Sequence, residues 1–110
     1  MPKIADLILK GASGTEYGFE VYPLDTKFKA IGAVYAITRR FQNAQGGFNH
    51  DVIYIGQTGD LSERFDQHHQ ADCFGRHKAN CACIHADDSE RSRLRKEADL
   101  IEAENPPCND

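Results

Sequence analysis

Several features that would settle the class of this chain at once are missing from it. No run of residues is long and apolar enough to cross a bilayer, so no spanning helix is expected. The start, Met1-Pro2-Lys3-Ile4-Ala5-Asp6, has no basic stretch followed by an apolar run and a cleavage site, so it is not read as a secretory signal. A cytoplasmic location is the resulting expectation. There is no basic excess either: the formal net charge is −4, whereas phosphate binders usually carry a surplus of lysine and arginine. That argues mildly against a nucleic-acid partner without excluding one, because an enzyme needs only a local basic surface. No internal repeat or low-complexity segment occurs. Cysteine is sparse, at Cys73, Cys81, Cys83 and Cys108. Without a secretion signal these four are expected as reduced thiols or metal ligands rather than as a disulfide framework.

What remains is an ordinary globular composition, 40% hydrophobic and 27% charged. The 110 residues suffice for one compact domain and not for two. Ile4 to Leu9 is a short apolar run, and Gly11-Ala12-Ser13-Gly14 is a turn signal. Thr15 to Tyr22 then alternates, with Tyr17, Phe19 and Val21 on one side, so residues 4–22 read as a β-hairpin with one buried face. Gly32 to Thr38 and Val52 to Gly56 suit strands covered on both faces. Residues 39–51 hold Asn43, Gly46, Gly47 and Asn49, and read as a long loop. Thr58-Gly59-Asp60 opens a helix, with Asp60 and Glu63 in capping-box spacing. Residues 71–79 fit no single state. Cys81 to His85 suits a third strand, and Asp87-Asp88-Ser89 caps a last helix that ends near Glu104, before Pro106-Pro107. The layout is α+β.

Charged residues fall where apolar ones belong. In the first helix Leu61, Arg64, Phe65 and His68 share a face, and in the last Leu94, Glu97, Ala98 and Ile101 do so. Arg64, His68 and Glu97 are thereby carried toward the interior. A charge in apolar surroundings needs a partner. Two readings stay open: a structural Arg64–Glu97 ion pair, or a catalytic site, where such charges gather.

The order of these residues resembles a known family. Ala33-Val34-Tyr35 followed by Tyr54-Ile55-Gly56 looks like the paired signatures of the GIY-YIG nucleases, with Ala33 in place of the first glycine. Arg64 and Glu97 stand where that family places its arginine and glutamate, and Pro106-Pro107-Cys108-Asn109 resembles its closing proline and asparagine. The resemblance covers residues 31–109 and leaves residues 1–30, with the hairpin, as an extension. It implies a small central antiparallel sheet flanked by helices, and a metal-dependent endonuclease cutting phosphodiester bonds in nucleic acid, DNA before RNA. It also implies one magnesium or manganese ion held by Glu97. Tyr35 would be the general base; a free tyrosine has a pKa of about 10, so nearby cations would have to lower it. Tyr54 would position the water or Tyr35. Arg64 would neutralise charge on the phosphoryl oxygens, and His68 would aid proton transfer or hold the phosphate. Gly56 and Asn109 would support the site.

Three other readings compete. Strand tyrosines are commonly core aromatics. Cys73, His77, Cys81, Cys83 and His85 lie close in sequence and could hold zinc in a binding module, but their spacing matches no common zinc pattern. The same fold could also bind nucleic acid or protein without cutting. For the substrate, Arg39-Arg40 and Arg91, Arg93, Arg95 and Lys96 offer a basic track, with Arg39, Arg40, Arg91 and Arg95 the candidate backbone contacts. A solvated helix face, offset by Asp87, Asp88 and Glu90, explains the same charges. Targeting is left to the 39–51 loop, the hairpin, a homodimer or a partner.

Overall fold

The structure, a computed structural model, describes residues 3–63 and 70–109. Two candidates, Arg64 and His68, lie outside the described residues. Five antiparallel strands form one sheet: β1 (Ala5–Lys10), β2 (Glu16–Pro23), β3 (Ala33–Gln42), β4 (Phe48–Thr58) and β5 (Cys81–Ala86). Among the described residues two helices accompany them, α1 (Ala71–Arg76) and α2 (Glu90–Glu104), with a 3-10 turn at Leu61–Glu63; the rest of the helix expected from Asp60 lies outside the described residues. The strand order is β1-β2-β5-β3-β4. The extension is therefore not an appendage, because β2 pairs with β5 and continues the central sheet.

The hairpin forms as its alternation requires. Phe19 and Val21 are buried and Tyr17 partly so, while Glu16, Gly18 and Glu20 face the other way. The expected loop at 39–51 is a second hairpin instead. β3 and β4 pair from Ala33↔Thr58 out to Gln42↔Phe48, and only the turn around Asn43–Gly47 is irregular. The outer halves of these strands hang beyond the core, so their polar residues show no buried face to read.

The two sheet faces carry two apolar clusters. One gathers Ala33, Tyr35, Ile37, Leu61, Phe74, Ala82 and Ile84. The other gathers Leu9, Phe19, Val21, Val34, Ala36, Ile55, Cys83 and Leu100, and is covered by α2. A bulge marks β4: Ile37 pairs with Tyr54 but Thr38 pairs with Val52, so Ile53 is the extra residue. It turns Ile53 and Tyr54 toward the same face, and leaves Val52 and Ile55 under α2.

Helix α2 begins as read. Ser89 is its N-cap, accepting from the Ser92 amide at 3.3 Å, and Asn105 closes it in the left-handed conformation. Its inward face is rotated from expectation. Arg93 and Leu100 are buried, whereas Leu94 is 47% exposed and Ala98 faces solvent. A 3.6-residue template fits both stripes, and the buried arginine disguised the correct one. The same helix holds the hairpin turn. The Asp99 carboxylate accepts from the Ser13 amide and hydroxyl and from the Tyr17 hydroxyl, each at 2.8 Å.

The cysteines are also corrected. Cys73 and Cys108 form a disulfide that spans 35 residues and ties α1 to the C-terminal segment. Cys81 and Cys83 are free and buried. The pairing follows from the path of residues 105–109 along β4, which no sequence spacing shows.

Candidate active site

Among the described candidates, Tyr35, Tyr54, Gly56 and Asn109 meet at the edge strand β4. Tyr54 and Gly56 lie in it, and Tyr35 is the β3 partner of Gly56. The Tyr35 and Tyr54 rings stand side by side with centroids 6.0 Å apart. Tyr35 is buried and Tyr54 half-buried, its ring tilted against that of Phe74 with centroids 5.5 Å apart. Gly56 makes the pair fit. A Cβ there would lie 2.6 Å from both Cζ and Oη of Tyr35 and 2.8 Å from Cε2 of Tyr54, closer than real side chains approach. The signature glycine thus provides space for two aromatic rings.

Beyond β4 the sheet ends, and Asn109 takes the place of a sixth strand. Its Nδ2 donates to the Ile55 carbonyl and its Oδ1 accepts from the Ile55 amide, both at 2.8 Å. The Cys108 amide adds a bond to the Ile53 carbonyl. Exposed strand edges are otherwise open to pairing with other chains, and this cap closes one beside the tyrosines.

Glu97 comes to β4 from the opposite face, since α2 packs mainly against that strand. The side chain is half-buried, has no hydrogen-bond or ionic partner among the described residues, and has its carboxyl pushed above the usual range by burial. Among the described residues no cation pairs with it, and Arg64, the partner of the alternative ion-pair reading, lies outside them. A partly desolvated, unpaired carboxylate is suited to a divalent cation, so the donor chemistry fits the metal that the sequence implies.

Arg93 was grouped with the surface arginines, yet it is 6% exposed. Its Nε donates to Gln57 Oε1 at 3.0 Å and its Nη1 to the Asp87 carbonyl at 3.1 Å, so it fastens the start of α2 to the end of β4. Its register on α2 with Leu100, seven residues on, was the available signal. The other basic candidates do not form one patch. Arg39 pairs with Asp51 at 2.9 Å and lies over the Phe41 ring, while Arg40 lies over the Phe48 ring. Both sit on the outer part of the β3–β4 hairpin. Arg91 and Arg95 are exposed on α2.

The zinc set does not assemble. Cys81 and Cys83 are buried on β5, and burial pushes the Cys83 thiol up to about 12. His85 is engaged elsewhere: Lys96 donates to its Nε2, so its Nδ1 carries the proton and donates to the Gly18 carbonyl. Cys73, His77 and Cys108 bring their ligand atoms within 4.8 Å, but the two sulfurs are bonded to each other.

An α+β domain with paired strand tyrosines, a glycine beneath them and an asparagine at the sheet edge is the frame that the sequence resemblance implies. The GIY-YIG catalytic domain model matches residues 31–109, and the chain belongs to that family. No curated protein and no solved structure matches the chain significantly. Among the described residues, no helix is long and apolar enough to cross a membrane.

Proposed function

We propose that this chain is a metal-dependent endonuclease that hydrolyses phosphodiester bonds, with DNA as substrate. The meeting of Tyr35, Tyr54, Gly56 and Asn109 on one edge strand carries this reading, with the Glu97 helix packed across the other face of that strand. Glu97 would hold a single magnesium or manganese ion. When bound, such an ion supplies Lewis-acid stabilisation of negative charge on the phosphoryl oxygens.

The protein's own groups have separate tasks. Tyr35 Oη takes the proton of an attacking water as its oxygen bonds to phosphorus. Tyr54 holds that water or Tyr35 in place. The bond from phosphorus to the leaving sugar oxygen breaks, and solvent water protonates that oxygen. Arg64, outside the described residues, neutralises the equatorial oxygens with its planar fork, and His68, also outside them, serves the proton transfer or the phosphate. Asn109 keeps Ile55, and with it Tyr54 and Gly56, in register. Arg39, Arg40, Arg91 and Arg95 are proposed backbone contacts.

The test is cleavage of plasmid and linear DNA with magnesium, with manganese and with chelator. Cutting with either metal and none in chelator is expected, with the fold intact throughout, because one carboxylate does not make a structural metal site. Full activity in chelator overturns the one-metal reading. Arg64→Lys should lose most turnover and keep binding, since lysine lacks the two-pronged geometry.

A further inference from the structure

A cleft of about 590 Å³ opens on the tyrosine face between β2, the end of β5 and the segment 24–31. Most of its wall comes from residues before the family match. It lies on the same sheet face as the candidate site. Glu20 of β2 pairs with Ile84 of β5, Ile84 with Tyr35 of β3, and Tyr35 with Gly56 of β4. These four residues form one row across the sheet on a single face. Glu20 is therefore two strand spacings, about 10 Å, from Tyr35.

Three features of the cleft point to one kind of ligand. Tyr22 and Phe28 meet edge to face with centroids 5.3 Å apart, and Ile31, 40% exposed, adds an apolar wall. Lys27 and Lys29 sit on its rim. Lining it is Thr26, 7% exposed, whose Oγ1 is buried and has no hydrogen-bond partner among the described residues. A buried hydroxyl without a partner costs stability, and so does not persist as a packing device. Flat aromatic and apolar walls, rim cations and a hydroxyl in reserve match a nucleobase with its phosphate.

Resting on the nuclease reading, we infer that this cleft receives a base unstacked from the strand being cut, next to the scissile phosphate. A base inside a duplex cannot enter it, so the substrate is single-stranded, flapped or flipped at that position. The Thr26 hydroxyl bonds the base edge, the Tyr22–Phe28 pair supports its face, and Lys29 holds the neighbouring phosphate.

Binding is measured in chelator, so that catalysis plays no part, with a single-stranded oligonucleotide carrying 2-aminopurine, its fully paired duplex, and the free 2-aminopurine nucleotide. The expected order of affinity is single strand, then duplex, then free nucleotide. Thr26→Val keeps the shape and removes the hydroxyl. It should raise the melting temperature and weaken single-strand binding by about fivefold, the worth of one hydrogen bond. Lys29→Glu, on the exposed rim, should weaken it further without changing stability. Duplex binding equal to single-strand binding, a free nucleotide that binds more tightly than the strand, or Thr26→Val affinity unchanged each overturns the inference. A protein that binds the strand in this way but cuts nothing with metal refutes the nuclease reading and leaves the cleft standing; one that cuts but ignores Thr26→Val refutes the cleft alone.

Discussion

Asn109 is bonded in both directions to the backbone of Ile55, the residue between Tyr54 and Gly56. A side-chain amide offers a donor and an acceptor in the spacing of a peptide group, so it satisfies a strand position that no sixth strand reaches. Asn109→Ala removes both bonds and exposes the edge. A loss of about 1–3 kcal/mol is expected, with turnover falling more than the folded fraction does. Asn109→Asp keeps the acceptor and loses the donor, and should fall between. Melting curves beside cleavage rates, taken well below both transitions, check this; an alanine variant with normal turnover would show that the cap serves stability alone.

Glu97 gives a pH-dependent prediction with a definite sign. Burial raises its carboxyl above the usual range, so the folded chain binds this proton more tightly than the unfolded chain does. The ionised form therefore subtracts stability, a penalty absent at pH below the ordinary carboxylate value and complete once pH has climbed past the raised one. Glu97→Gln should melt higher than wild type at neutral pH, and the difference should close toward acid. Activity should collapse at every pH, because an amide is a poor ligand for magnesium. Wild-type activity should fade as pH drops through the raised carboxyl. A destabilised Glu97→Gln variant that still cuts defeats the catalytic assignment.

Gly56→Ala tests the space under the tyrosines. The new methyl lies within 2.6 Å of the Tyr35 hydroxyl end, so the ring must turn or the strand must shift. Overpacking of this kind costs about 1–3 kcal/mol. Cleavage should fall steeply while the secondary structure is kept, seen as an unchanged far-ultraviolet spectrum. Normal cleavage would show that the position of the Tyr35 ring is immaterial to the chemistry.

Reduction of the Cys73–Cys108 bond should lower stability by about 3–4 kcal/mol, the chain-entropy value for a closed loop of this length. Cys73→Ser should do the same and become insensitive to reductant. Since Cys108 adjoins Asn109, the edge cap should loosen first, and hydrogen exchange at the Cys108 and Ile55 amides reads it. Equal melting with and without reductant would show the bond contributes nothing.

How much of this was legible depended on burial. The N-terminal hairpin could be read because Tyr17, Phe19 and Val21 face the α2 side and their neighbours do not. The strands at Tyr35 and Tyr54 were equally plain, and so was the Ser89 cap. The outer halves of β3 and β4 were not, since Arg39 to Gln42 and Phe48 to Asp51 lie beyond the core and Asn43, Gly46 and Gly47 suggested a loop. The bulge at Ile53 was hidden because Val52-Ile53-Tyr54-Ile55 is apolar throughout and shows no alternation to break. Glu97 was placed on the inward side for the wrong companions: Leu94 and Ala98 lie outward, and a buried Arg93 takes their place. Arg64 and His68 stand on sequence alone, being outside the described residues. The disulfide depended on a chain path that only three dimensions contain.

The recognisable nuclease begins at residue 31, but the sheet does not. Severing the chain there would strip β2 from β5, uncover Cys81 and Cys83, and leave Leu100 and Val34 without Phe19, Val21 and Leu9 above them. The catalytic module of this protein is thus not a transplantable cassette. An engineer who grafts it onto a targeting domain must carry the first thirty residues along, and a fusion partner attached at Ile31 would meet an open, sticky strand in place of a clean boundary.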